Sequence, residues 1–315
     1  MSGIVNIHNR CYSYEAMEQD LNKIAETYPR YVQLSSLGET LDHRQIYCLH
    51  LHGDAQENYG LPENMRVERR QPKEVRKILV QAAMHAREWK NTQLVMMMAE
   101  KFLRCYKADI LWEGIPYRQL LRSNDLYILP MTNPDGVQIS QFGVSGITDA
   151  NLRNSLQLMM EKQKGKPASI AKRWKGNARG VDLNRNFEVG FPCEAVNPGE
   201  NPLSEPESKI LWDCITKLQP ALVVNYHSTG QEIFYRRYFT GLEHISRCTG
   251  YPLVQETEKP NGSLGDILTN EKIYWCTLET GMGRAPVWHG QIYAWWFRHQ
   301  HLLPMFLATV PGSYR

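Results

Sequence analysis

The tetrapeptide His85-Ala86-Arg87-Glu88 directly follows the apolar run Ile78-Leu79-Val80-Gln81-Ala82-Ala83-Met84. An imidazole and a carboxylate three residues apart, just beyond a strand, can converge on one point. A metal ion is the commonest reason to bring them together. A second imidazole, His227, ends the short run Val223-Val224-Asn225-Tyr226. A catalytic zinc takes three protein ligands and leaves one position open. His85, Glu88 and His227 make such a set, two histidines and one carboxylate. The separation of the last two (227 − 88 = 139 residues) excludes the single-helix His-Glu-x-x-His arrangement. Taken alone, either histidine reads equally well as a hydrogen-bonded residue at a strand end.

Chemistry beyond the metal needs a base and a grip on the substrate. Glu279 follows the strand-like Ile273-Tyr274-Trp275-Cys276-Thr277-Leu278. A carboxylate at a buried strand end is costly unless it is paired or working. As a general base it would take a proton from an attacking water and pass it to a leaving amine. An ion pair with the nearby Arg284 is the plainer alternative. The stretch Gly180-Val-Asp-Leu-Asn-Arg-Asn-Phe187 sets Asn184 beside Arg185. A guanidinium fork grips a carboxylate in two parallel hydrogen bonds, so the terminal carboxylate of a peptide is the natural partner.

These residues must be held by regular elements. Met17, Leu21 and Ile24 recur at helical spacing, which predicts an amphipathic helix over 14–28, ending before Pro29. Strands are predicted over 45–52, 77–84, 125–131, 221–226 and 273–278, the second nearly continuous in apolar character, as in a strand buried on both faces. Helices are predicted over 91–105, capped by Asn91 or Thr92, over 205–218, and over 290–307. The polar, Pro-interrupted stretch 60–77 reads as a surface connection, and Asn133-Pro134-Asp135-Gly136 as a turn. Strands alternating with helices imply a sheet covered on both faces, with ligand sites beyond the carboxyl ends of its strands. His85, His227 and Glu279 all fall at such ends.

The 315 residues, 42% hydrophobic and 22% charged, suit a soluble globular protein of one large α/β domain or two smaller domains. A net charge of +3 does not argue for a nucleic-acid partner, and no apolar run is long enough to suggest a membrane partner. No basic segment leading into an apolar one opens the chain, so it reads as cytoplasmic. Seven scattered cysteines form neither a disulfide framework nor a Cys-based zinc site, and most are expected to be buried thiols.

Taken together, His85-Ala-Arg-Glu88, Asn133-Pro-Asp-Gly136, Gly180-Val-Asp-Leu-Asn-Arg-Asn-Phe187, Ser204-Glu-Pro-Glu207, His227-Ser228 and Glu279 resemble the zinc carboxypeptidase family, in the family's order and across nearly the whole chain. The resemblance implies a single catalytic domain over 1–315. Its fold would be a three-layer α/β/α sandwich around a mixed, largely parallel eight-stranded sheet. It implies one zinc ion on His85, Glu88 and His227, with Glu279 as general acid/base. Arg87, Asn184 and Arg185 would hold the substrate around its terminal carboxylate.

Some positions depart from that pattern. Where the family usually places an Arg after Trp to polarise the scissile carbonyl, Trp174 is followed by Lys175, and Arg173 is a rival for the role. Seven Lys or Arg residues lie between 162 and 179 without an acid, either a solvated stretch or a cationic rim attracting a substrate with several carboxylates. The loop over 255–266 has no Tyr, and Gly265 offers neither an apolar nor an acidic floor for a substrate side chain. Trp174 through Phe187 and His227-Ser-Thr-Gly-Gln-Glu-Ile-Phe-Tyr235 are similar to bacterial γ-D-glutamyl-meso-diaminopimelate peptidases. That similarity implies a muropeptide substrate; a general cytosolic carboxypeptidase acting on peptides is the alternative, and a non-catalytic zinc-binding protein a remote one.

Overall fold

The computed structural model describes residues 3–53 and 75–311, so most of the connection expected over 60–77 lies outside the described residues. The elements, in chain order, begin with α1 (Tyr14–Thr27), β1 (Val32–Glu39), β2 (Gln45–Leu51), β3 (Arg76–Ala82) and α2 (Lys90–Ala108). A small hairpin, β4 (Leu111–Trp112) and β5 (Ile115–Pro116), leads through α3 (Tyr117–Leu120) to β6 (Asn124–Leu129). Then follow α4 (Pro134–Phe142), α5 (Ala150–Glu161), α6 (Pro167–Lys172), α7 (Pro206–Leu218), β7 (Leu222–Ser228) and β8 (Glu232–Tyr235). The last are α8 (Gly241–Thr249), β9 (Leu253–Gln255), α9 (Leu264–Asn270), β10 (Tyr274–Thr280), α10 (Gln291–His299) and α11 (Leu302–Thr309).

Eight strands form one mixed sheet in the order β1-β2-β6-β3-β7-β10-β8-β9. The central four, β6, β3, β7 and β10, run parallel; β1, β2 and β8 pair antiparallel to their inner neighbours. The two-residue period of the central strands sorts their side chains between two helix layers. Ile78, Val80, Val224, Tyr226, Cys276 and Leu278 pack with α1, α2, α8, α10 and α11. Leu79, Val223 and Trp275 face the other way, against α7 and α9. Both faces are therefore covered, which is why these strands read as unbroken apolar runs. A smaller cluster joins Ile139, Leu156, Met160, Ile170 and Trp174 to Ala86, beside the first candidate ligand. The expected α/β/α sandwich is present.

Three local expectations change. Neither Asn91 nor Thr92 caps α2: the short turn Ala86–Glu88 runs straight into it, and Trp89 takes the cap position without a side-chain bond. Asn91 instead donates to Ser228 Oγ (3.1 Å) and accepts from Thr280 Oγ1 (2.7 Å), fastening α2 to the ends of β7 and β10. Asn133-Pro-Asp-Gly136 is a helix start, with Asn133 Oδ1 accepting from Gly136 N (2.9 Å) and Pro134 opening α4. The predicted helix over 290–307 is two helices. Pro304 has no N–H to give to Gln300, and the break at Gln300-His301 places it in the first turn of α11. Of the seven cysteines, all free, Cys48, Cys105, Cys214 and Cys276 are buried.

Candidate active site

The central parallel strands bring three candidate residues to one end of the sheet. β7 and β10 are neighbours in register, with His227 opposite Glu279 and Ser228 opposite Thr280. β3 lies on the other side of β7, and the chain leaves it through Ala83, whose φ of +53° is left-handed, into His85. That exit is clamped. Asn133 Nδ2 donates to Met84 O (3.0 Å) and Gly176 O (3.2 Å), while Ala86 N donates to Lys175 O (3.0 Å). A Cβ on Gly136 would come within 2.5 Å of the Asn133 amide, so this close approach requires glycine.

His85, Glu88 and His227 converge as a buried group whose ligand atoms lie within 4.8 Å of one another. The two Nδ1 atoms are 3.1 Å apart, and Glu88 reaches His85 Nδ1 at 2.9 Å and His227 Nδ1 at 3.0 Å. Two nitrogens around a tetrahedral zinc are about 3.3 Å apart, given bonds of about 2.0–2.1 Å. The donor set and its spacing therefore suit zinc. Its electrostatics call for a cation as well. Burial works against charge on His85, yet the carboxylates of Glu88 and Asp182 outweigh it and raise the imidazole to about 9. Burial also opposes ionisation of Glu88, and the two histidines overcome it, holding the carboxyl well below its ordinary range. His227 is lowered, chiefly by burial.

Asp182 completes this arrangement and was assigned no role from sequence. Its Oδ1 meets His85 Nε2 at 3.2 Å, so the other ring nitrogen, Nδ1, is left for a metal. Its Oδ2 accepts from Lys175 Nζ at 2.7 Å. The signal was available: an acid two residues before the Asn-Arg pair, inside a strongly patterned segment.

Glu279 lines the same cavity, of about 900 Å³, as the three ligands. Its carboxyl is pushed up to about 8, first by burial and then by the Glu88 charge, against the pull of His85 and Lys175. It makes no ion pair with Arg284 or any other described residue. Arg87, Asn184, Arg185, Lys175 and Arg173 also line the cavity. Arg185 sits on a short turn with Nη1 donating to Asn184 O (2.6 Å). Asn184 Oδ1 accepts from Leu264 N (2.9 Å). Arg87 Nε is buried without a partner among the described residues. Lys175 is neutralised by Asp182, whereas Arg173 is exposed and pairs with no described acid. Of the basic stretch over 162–179, then, Arg173 and Lys175 reach the cavity, Arg179 pairs with Glu205 (3.0 Å), and Lys162, Lys164, Lys166 and Lys172 are solvated.

With this geometry, the chain matches the model of the zinc carboxypeptidase family over residues 17–257, and it belongs to that family. The match includes all three candidate ligands and stops short of Glu279. The chain is 25% identical, over 88% of its length, to a γ-D-glutamyl-L-diamino acid endopeptidase of Lysinibacillus sphaericus, and spans 67% of that protein. It is also 25% identical, over 81% of its length, to the uncharacterized protein YqgT of Bacillus subtilis, and spans 62% of that protein. Carboxypeptidase A from Helicoverpa armigera has the same fold, with a TM-score of 0.62 at 18% identity, covering 95% of this chain and 73% of that one. Among the described residues no helix is long and apolar enough to cross a membrane.

Proposed function

We propose that the protein is a metallopeptidase holding one zinc ion. It would hydrolyse a peptide or isopeptide bond next to a carboxylate-bearing C-terminal residue, with bacterial cell-wall peptides as the substrate class. The observation that carries this reading is the shared cavity: His85, Glu88 and His227 converge at one place, Glu279 stands in register with His227, and Arg185 lines the same space. The similarity to a γ-D-glutamyl-diamino acid endopeptidase supports the substrate class.

His85, Glu88 and His227 would hold the metal, which when bound supplies Lewis acidity toward the scissile carbonyl and the attacking water. Asp182 fixes the His85 ring, keeping Nδ1 turned inward. Glu279 accepts the proton of the attacking water and delivers it to the departing amine. Arg185, with the amide of Asn184 and the guanidinium of Arg87, holds the terminal carboxylate; a planar fork fixes both its position and its orientation. Lys175 and Arg173, both lining the cavity, are the two candidates to polarise the carbonyl oxygen. Because Asp182 already offsets Lys175, Arg173 contributes the larger unneutralised field.

The test is a panel assayed with the purified zinc-loaded protein: L-Ala-γ-D-Glu-meso-diaminopimelate beside peptides ending in Phe, Leu, Lys and Glu, with and without a chelator. Chelator-sensitive cleavage of the first, restored by zinc, is expected. Turnover of the ordinary peptides alone overturns the wall-peptide assignment in favour of a general carboxypeptidase. Zinc binding with no turnover of any substrate overturns the peptidase assignment.

A further inference from the structure

The sheet sets His227 against Glu279, but Glu88 lies outside that ladder. It stands in the short turn that follows β3 and runs into α2. Its place relative to the other two residues therefore depends on how the start of α2 is held against the ends of β7 and β10.

Three side chains make that connection. Tyr226 and Leu278 face the layer that contains α2, and by the two-residue period of a strand so do Ser228 and Thr280. Both meet Asn91, which lies one helical turn beyond Glu88. Asn91 and Thr280 are fully buried. Thr280 has a single hydroxyl hydrogen, and at 2.7 Å it goes to Asn91 Oδ1. The 2.8 Å bond between the two hydroxyls must then be donated by Ser228 Oγ to Thr280 Oγ1. Ser228 Oγ in turn accepts from Asn91 Nδ2 at 3.1 Å. The three bonds close into a ring in which every member gives one hydrogen and receives one. Hydrogen bonds linked in this way polarise and strengthen one another.

Each corner of the ring adjoins a residue of the site. Ser228 follows His227, Thr280 follows Glu279, and Asn91 is three residues from Glu88. The Ser228 backbone adds a direct link, its N donating to Glu88 Oε2 at 3.2 Å, the same oxygen that stands 3.0 Å from His227 Nδ1. Thr280 Oγ1 also lies 3.0 Å from the carbonyl of His227. Stability alone does not call for such a ring. Replacing buried hydrogen-bonding partners together by apolar groups of the same shape is nearly neutral. What directional bonds add is a fixed distance between the elements that carry them.

We infer that Asn91, Ser228 and Thr280 are positioning residues, whose ring of hydrogen bonds holds Glu88 in place relative to His227 and Glu279. The inference rests on the metallopeptidase reading given above. Its test compares Thr280→Val, which keeps the side-chain volume and loses the hydroxyl, with Thr280→Ser, which keeps the hydroxyl. At saturating zinc, on whichever substrate of the panel is cleaved, Thr280→Val should lower kcat about 10–100-fold and leave KM within about twofold. Thr280→Ser should recover most of that loss. Asn91→Ala should resemble Thr280→Val, and the double variant should be no slower than the worse single one, because the ring is broken once. A second readout needs no turnover: the visible absorption spectrum of the protein loaded with cobalt(II) in place of zinc. Its bands should shift in Thr280→Val and Asn91→Ala and return in Thr280→Ser. Should the buried substitutions prevent folding, Ser228→Ala opens the ring at its partly exposed corner and is read by the same two measurements. A cobalt spectrum unmoved by these substitutions overturns the inference, even where denaturation midpoints fall, because the ring would then serve stability alone. Losses in kcat that add in full in the double variant overturn it as well. A spectrum that follows the ring in a protein cleaving no substrate sinks the peptidase reading and leaves the hold on Glu88 standing.

Discussion

Two groups of buried carboxylates meet the segment from Trp174 to Phe187, and their burial is answered differently. On one side, Glu88 and Asp182 are held well below the ordinary carboxylate range, because His85, His227 and Lys175 outweigh the cost of burial. On the other, Glu207 is pushed up to about 8, by burial first and by the charge of Asp135 next. Among the described residues its one side-chain donor is the Asn177 amide at 3.1 Å, and its Oε1 has no partner. The neighbouring Glu205 is met by Arg179 at 3.0 Å through two nitrogens. Burial is common to both groups; what differs is the supply of positive charge. The first group is built to hold a cation. In the second, Glu207 lacks such a partner and is shifted toward its protonated form.

The largest effect expected is on turnover. Glu279→Gln should lower kcat by about 10²–10⁴ while zinc content, measured by atomic absorption, stays at one per chain. Unchanged turnover would remove Glu279 from the mechanism. In the wild type the base must be ionised, and its raised pKa moves the acid limb of kcat/KM above the ordinary value near 4.5, toward 8; a bound dication draws it back down within that window.

Next comes Glu207. Below about 4.5 both folded and unfolded chains carry its proton. As pH rises toward 8 the unfolded chain releases it and the folded chain keeps it, so stability falls across that window and levels off above it. Glu207→Gln should remove this fall, on the order of a few kcal/mol, seen as denaturation midpoints of mutant and wild type that diverge between pH 5 and 8.5. Parallel profiles would show that Glu207 is ionised in the fold. The smallest effect concerns the first group. Asp182→Asn keeps the shape but weakens the hold on His85 and Lys175, and should lower zinc affinity about 10–100-fold in a chelator competition. Unaltered affinity would reduce Asp182 to a partner of Lys175 alone.

The legible and the illegible parts of this site differ in kind. His85, His227 and Glu279 could be read from sequence because each directly follows an apolar run, with Glu88 three residues beyond the first, and strand ends gather in parallel sheets. Asp182 was passed over because its job is to orient another residue, and no spacing rule marks an orienting carboxylate. Asn133-Pro-Asp-Gly136 was read as a turn because turns and helix starts favour the same residues for the same local reasons. Only the contacts with Met84 and Gly176, 49 and 43 residues away, show that it clamps the metal loop. Asn91 was read as a cap for the same reason.

The register of β7 against β10 has a consequence for how such a protein can change. His227 and Glu279 occupy opposite positions on hydrogen-bonded neighbours, so their separation is fixed by the sheet's own spacing of about 4.8 Å. Neither residue depends on a loop for its place. Other segments that line the cavity, around Arg236, Glu256 and Asn261, are loops and element ends outside that ladder. Those segments can therefore drift, or be exchanged by design, while the spacing of His227 and Glu279 is inherited unaltered from the backbone.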